Sequence, residues 1–326
     1  MIKLPSSALP KPRAVGDSPA QEGASSARRV TAGLLVALAI LAVAAWALPQ
    51  WYFHAGQPFD RSWLRAAMLA LSLLTLYRLL LAVGTGVTGR RAGVLWSSRN
   101  TYSLSRLQLV LWTWLVLSGL LGVVICRAWR LFDGGGLESA LDIHMPTQLL
   151  TVMGISVASS AAAPAILSMK AQAAGPSQTA LDAAARRIDA DVHAVGSVYV
   201  RPGVCPPLVK DLFQSDDATA AGTVDISKVQ QFAVTFILWA VYLAMLMQLM
   251  LTGRNGPVPA NAVPGTTGLP ALSESFVYLL GISHAGYLAY KAAPTTQPAG
   301  ATAPGTATPD VPSAVLPRPQ PPDPAS

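Results

Sequence analysis

The sequence predicts an all-α integral membrane protein of about six transmembrane helices, and three observations carry that prediction. Of 326 residues, 52% are hydrophobic and only 12% are charged, against about 25% charged in an ordinary soluble domain. Six apolar runs approach the ~20 residues needed to cross a hydrocarbon core: Val30–Leu48, Trp63–Ala82, Leu104–Cys126, Gln148–Met169, Val229–Leu251 and Leu272–Ala289. With the N-terminus placed inside, the inner segments hold seventeen Lys and Arg, the outer segments hold five, and Arg78 lies within a run. The positive-inside rule then puts both termini in the cytoplasm. The net charge of +7 and pI of about 9.6 are explained by this sorting, so the expected partner is the lipid bilayer and not nucleic acid.

Residues 1–28 are rich in Ser, Ala and Pro and are expected to be a disordered cytoplasmic tail. The first run ends near Ala45-Trp46-Ala47, which resembles a signal-peptide cleavage site. Twenty-nine residues precede that run, more than a usual leader carries, so it is read as a retained anchor. In the second run, Arg78 is the one charge clearly at membrane depth. Its stem is long enough to snorkel to the inner headgroups, and an intramembrane charge is also a candidate functional residue.

The third and fifth runs open on related sequences. SLSRLQLVLWTW at 103–114 matches DISKVQQFAVTF at 225–236, an offset of 122. The fourth and sixth runs match as well: LLTVMGISVASS at 149–160 and FVYLLGISHAGY at 276–287, an offset of 127. Two motifs in the same order and orientation indicate a parallel internal repeat of two helix hairpins, repeat A at 103–169 and repeat B at 225–291. Ser25 and Arg28, which precede the first run, are the only traces of a third copy, so the first two runs are not counted as one.

Ser105-x-x-Gln108 and Ser227-x-x-Gln230 have capping-box spacing, which would satisfy orphan N–H groups where each helix enters lipid. Arg106 and Lys228 then fall at headgroup level. The functional alternative is that Arg106, Gln108, Lys228 and Gln230 face one another across a pseudo-two-fold axis and line an anion-attracting vestibule. In the Gly-Ile-Ser helices, Gly154, Ala158 and Ala162 recur every four residues, as do Gly281, Ala285 and Ala289. Small residues at this spacing allow close backbone approach, and Ser156 and Ser283 can hydrogen-bond beside them. Gly154, Ser156, Ala158, Gly281, Ser283 and Ala285 are therefore the expected contact between the repeats.

Ser283-His284 invites a nucleophile-and-base reading. Neighbours on a helix point about 100° apart, so His284 is badly placed to activate Ser283. His54, His144 and His193 fall outside the spans, and repeat A has Val157 where repeat B has His284. His284 remains a candidate for protonation or a polar pathway. Met245, Met247 and Met250 read as adaptable packing. Cys126 and Cys205 fall on opposite sides and cannot bridge. No metal-ligand, nucleotide-binding or paired-carboxylate spacing appears, so no metal, cofactor or catalytic residue is expected.

Residues 170–224 form a cytoplasmic connector with an expected short helix in SQTALDAAARRIDADVHAVG, a strand in VGSVYVR and a turn in PPLVKDLFQSDD. The membrane domain spans 29–292, and residues 293–326, with ten prolines from Pro294 onward, are expected to be a disordered cytoplasmic tail. The combination of SRLQ, DLFQ…VDISKVQ and LLGISHAGYLAYK resembles uncharacterised bacterial multi-pass membrane proteins, over roughly residues 100 to 291. The resemblance implies a bacterial inner membrane and brings no activity with it. The expected function is a non-enzymatic helical scaffold or complex subunit that associates with itself or other membrane proteins. The alternatives are a small channel or transporter built around the repeat axis and, behind it, a membrane-embedded enzyme.

Overall fold

The computed structural model describes residues 19–56, 60–132, 140–188, 192–201, 206–253 and 268–293. Among these the long helices are α1 (Pro19–His54), α2 (Arg61–Thr88), α3 (Leu104–Ala128), α4 (Thr147–Gln172), α6 (Ile226–Thr252) and α7 (Glu274–Ala292). The connector supplies α5 (Gln178–Ile188), β1 (His193–Val195), β2 (Val198–Val200) and a 3-10 turn at Val209–Leu212. Five helices are long and apolar enough to cross a membrane: α1 from Ala32, α2, α3, α4 and α6. Helix α7 occupies the sixth expected span but is not among them. Helix α1 begins at Pro19, inside the stretch that composition assigns to a disordered tail. Residues 1–18, the C-terminal tail from 294 and Cys205 lie outside the described residues.

The bundle is centred on α2, α3 and α6. Met68, Leu69, Trp112, Leu115, Val116, Tyr242, Leu246 and Met250 are fully buried there. Helix α7 packs on α4 and α6, and α1 packs on α2. Glycines set the closest approaches: a Cβ on Gly119 would lie 2.9 Å from Leu246, and one on Gly86 would lie 1.5 Å from the Val30 side chain. Gly86→Leu is therefore expected to overpack the α1–α2 contact and lower stability by about 1–3 kcal/mol. Gly154→Leu, at a position with nothing within 4 Å, is expected to leave the unfolding temperature of the purified protein unchanged.

The buried faces also recur, in a register one residue away from the sequence match. Adding 123 to the buried positions of α3 covers every buried position of α6, including 105 to 228, 108 to 231, 112 to 235, 115 to 238 and 119 to 242. Adding 128 to the five buried positions of α4 (149, 152, 156, 159 and 163) gives 277, 280, 284, 287 and 291, all buried in α7. The motif offsets of 122 and 127 reach only positions 238, 249 and 283 and miss the other buried positions of α6 and α7. One residue is about 100° of helix rotation, so residues matched by motif point in different directions.

The connector has its own small core of Ala184, Tyr199, Ala218 and Ala221. Strands β1 and β2 pair antiparallel with Ala194 opposite Tyr199, across a turn at Gly196 with φ 57°. A Cβ at Gly196 would lie 2.5 Å from the Ala171 carbonyl oxygen, so the turn sits directly against the end of α4. The Ser197 N–H donates to the Lys170 carbonyl at 3.3 Å, and the Ala218 N–H to the Ser197 carbonyl at 3.0 Å. These bonds fasten the connector to one end of the bundle, called here the connector end.

Candidate functional site

At the connector end, one carboxylate meets three cations. Asp216 lies in the polar turn between β2 and α6, and its carbonyl accepts from the Tyr199 N–H at 2.9 Å. Its Oδ1 accepts from Arg99 Nη2 at 2.6 Å and from Lys228 Nζ at 2.9 Å, and its Oδ2 from Lys291 Nζ at 2.5 Å. Arg99 comes from the α2–α3 loop, Lys228 from the first turn of α6 and Lys291 from the last turn of α7. Three segments far apart in sequence are thus tied to the connector through one side chain. Lys228 Nζ also donates to the Gln214 carbonyl at 2.6 Å, and Lys291 Nζ to the Tyr287 hydroxyl at 2.7 Å. The Tyr287 and Ser105 hydroxyls lie 3.5 Å apart, which brings in α3. Burial pushes the Asp216 carboxyl upward, but Lys228, Lys291 and Arg99 outweigh it and hold the group well below the usual carboxylate range.

The helix caps lie two residues earlier than the expected capping boxes. Asp225 is the N-cap of α6 and accepts from the Ser227 N–H at 3.0 Å and the Lys228 N–H at 3.3 Å. Ser103 is the N-cap of α3 and makes no side-chain cap bond. Ser105 and Ser227 stand inside the first turn. Ser105 is buried, and the Ser227 hydroxyl donates to Asp225 Oδ1 at 2.5 Å.

Within the bundle Gln108 pairs with Gln231 and not with its motif counterpart Gln230. Gln231 Nε2 donates to Gln108 Oε1 at 2.8 Å, and Gln108 Nε2 donates to Thr235 Oγ1 at 2.8 Å. Gln230 is exposed, as is Arg106, whose Nη1 donates to the Trp96 carbonyl at 2.5 Å. Arg106, Gln108, Lys228 and Gln230 therefore do not face one another: two are buried in separate networks and two point outward. Gln108→Leu is expected to cost about 1–3 kcal/mol by leaving buried partners unsatisfied. Gln230→Leu is expected to stay within about 0.5 kcal/mol of the parent in the same thermal unfolding measurement.

Helices α4 and α7 meet through the serine series. Ser156, Ser159 and Ala163 are buried on α4, and Val277, Leu280, Ser283, His284, Tyr287 and Lys291 on α7. Gly281 makes ordinary contact with Ile155 Cδ1, at 3.7 Å for an added Cβ. Gly154, Ala158 and Ala285 are exposed and face away from this contact. Among the described residues neither ring nitrogen of His284 has a hydrogen-bond partner, nor does the Ser283 hydroxyl, so the two do not form a nucleophile–base pair in this geometry. Arg78 is exposed on α2 and, with Arg29 and Arg91, lines a groove of about 720 Å³ between α1 and α2.

Sequence reasoning missed Asp216 and Gln231 and counted Arg99 and Lys291 only among the inner-side cations. Gln231 had a signal: Lys228, Gln231, Thr235, Leu238 and Tyr242 recur at three- and four-residue spacing, which is one helix face. Asp216 had none, because a carboxylate in a polar turn has no periodicity and its partners are distant in sequence. Comparison adds no relative to this geometry: no protein-family model, no curated protein and no solved structure matches the chain.

Proposed function

We propose that the chain is a six-span protein of a bacterial inner membrane, with both termini in the cytoplasm. In this reading α3–α4 and α6–α7 are parallel copies of one helix hairpin, and α7 is the sixth span. The protein acts as a non-enzymatic helical scaffold or complex subunit that presents its connector to a partner as a rigid cytoplasmic platform. The observation that carries this reading is the attachment of Asp216 to the α2–α3 loop, α6 and α7 at once. A connector held at three points is suited to presenting a fixed surface, and Val209 and Val224 stand on it 68% and 63% exposed.

A photo-crosslinking residue placed at Val209 or Val224 in native membranes should give a reproducible adduct with a second copy or another membrane protein. The same residue at the exposed Arg186 should not. Absence of any position-specific adduct at the two valines would count against the scaffold. Orientation is tested by Cys205, which should react with an impermeant thiol reagent only after lysis.

A channel or transporter is the second reading, and it is favoured by the buried polar groups of the bundle. Gln108, Gln231 and Thr235 bond one another between α3 and α6, while His284 and Ser159 are buried without hydrogen bonds. Liposome flux that falls with Gln108→Leu and is unchanged by Gln230→Leu would support it over the scaffold.

A further inference from the structure

A cavity of about 360 Å³ opens at the connector end between the α2–α3 loop, the inner half of α4, the β1–β2 hairpin and the tip of α7. Its volume falls in the ~300–1,000 Å³ range of small-ligand sites. One wall is cationic and hydroxylic: Arg99, Arg106 and Lys291 line it with Ser97, Ser98 and Ser103. The other wall is apolar, built from residues of α4 such as Leu167 and from the valines of the hairpin. Among the described residues no carboxylate lines it. Asp216, which pairs with both Arg99 and Lys291, lies behind the wall, and Asp225 is engaged in capping α6.

Charge points the same way. Arg99, Lys228 and Lys291 pair with one carboxylate, Asp216, while Asp225 acts on Lys291 from the α6 cap; all three cationic side chains are largely buried, so three cations face two carboxylates and the cluster carries net buried positive charge. An excess buried charge is costly unless something pairs with it. The N-terminus of α3 adds to the positive potential at the same wall. Its cap Ser103 makes no side-chain cap bond, whereas the motif counterpart of Ser103 is Asp225, which brings its own negative charge to α6.

We propose that this cavity binds the phosphate group of an amphiphilic phosphate ester. Arg106 and the α3 N-terminus hold the phosphate beside Arg99 and Lys291, and the apolar wall of α4 and the hairpin takes up the adjoining hydrocarbon. An arginine at the rim supplies two parallel N–H donors to phosphate oxygens, which is the geometry that favours Arg over Lys for such groups. The ester can be a membrane phospholipid or a soluble metabolite, because both present the same group. The inference is independent of the scaffold reading.

The full-length protein in phosphatidylcholine nanodiscs tests it, with either phosphatidic acid in the bilayer or glycerol 3-phosphate in solution as the probe. Both the unfolding temperature and the ligand retained in native mass spectrometry are read. Binding of phosphatidic acid alone identifies the lipid source, and binding of glycerol 3-phosphate identifies a soluble one. In either case Arg106→Gln and Ser168→Trp should each weaken the response about tenfold, and Arg106→Lys should restore part of it. Ser168 is exposed and stands outside the Asp216 contacts, so the probe-free unfolding temperature of Ser168→Trp should remain that of the parent, and Arg106→Gln, which also loses the exposed bond to the Trp96 carbonyl, is compared with its own probe-free unfolding temperature. Equal responses in the parent and both variants, or no response to either phosphate probe, would overturn the proposal.

Discussion

Asp216→Asn is expected to be the most damaging single substitution at the connector end, lowering stability by about 3–5 kcal/mol, the usual cost of removing one partner from a buried ion pair. The isosteric amide keeps the shape of the turn but leaves Arg99, Lys228 and Lys291 buried around a neutral group. Asp182→Asn is the matched control, since Asp182 is exposed on α5 and bonds only Gln178; its effect should stay within about 0.5 kcal/mol. Thermal unfolding of the purified protein and its steady-state abundance in the membrane should report the same order. The pH dependence has a definite sign. Asp216 is held below its ordinary value of 3.8, so its contribution is complete above that value and is lost only as pH falls through the lowered one. The deficit of Asp216→Asn should therefore be constant between about pH 7 and about pH 5. A deficit that shrank across that window would show that Asp216 is not held ionised by its three partners.

The long helices were legible because their signal is additive: some twenty apolar residues in a row outweigh any single misjudged position. What each motif residue does was not, because function depends on which way a side chain points, and a shift of one residue turns it by about 100°. Gln108 and Gln230 match by letter, yet Gln108 is buried against Gln231 while Gln230 faces out. Arg106 and Lys228 match too, and only Lys228 reaches Asp216. Ser283 is buried but its hydroxyl makes no hydrogen bond among the described residues, and the small-residue stripe through Gly154, Ala158 and Ala285 lies on the outer surface. Helix backbones approach closely at Gly86, 3.3 Å from the Val30 Cα for an added Cβ, and at Gly122, 3.3 Å from the Leu69 Cα, and neither glycine belongs to a repeated motif. Residue identity permits a close approach, and packing decides where one occurs.

Arg65→Met is expected to destabilise the opposite end of the bundle by about 3 kcal/mol or more, through hydrogen bonds that charge-sorting alone could not reveal. By sequence Arg65 is one of a few outer-loop cations. In the structure it is buried, and its guanidinium spans three carbonyls: Nε donates to Met250 at 2.6 Å, Nη1 to Leu131 at 3.0 Å and Nη2 to Leu251 at 3.1 Å. Met250 and Leu251 belong to the last turn of α6, where carbonyls have no partner within the helix and where positive charge is favoured. The same group lies 5.5 Å from the centre of the Phe132 ring, joining the α3–α4 loop to the cap. Methionine fills a similar volume and offers no donor, so the loss reads the hydrogen bonds and the charge, not a cavity. Arg65→Lys should recover only part of it, because a lysine ammonium cannot span carbonyls on two segments as the planar fork does. Gly253 makes the assignment testable at a second point. Its φ of 73° already disfavours a side chain, and an added Cβ would lie 3.3 Å from Arg65 Cζ. Gly253→Ala should therefore cost more in the parent than in Arg65→Met, where an unbonded, flexible thioether that can move aside replaces the guanidinium pinned by its three hydrogen bonds. Strict additivity of the two substitutions in thermal unfolding would mean that Arg65 does not hold the end of α6 in the way its contacts imply.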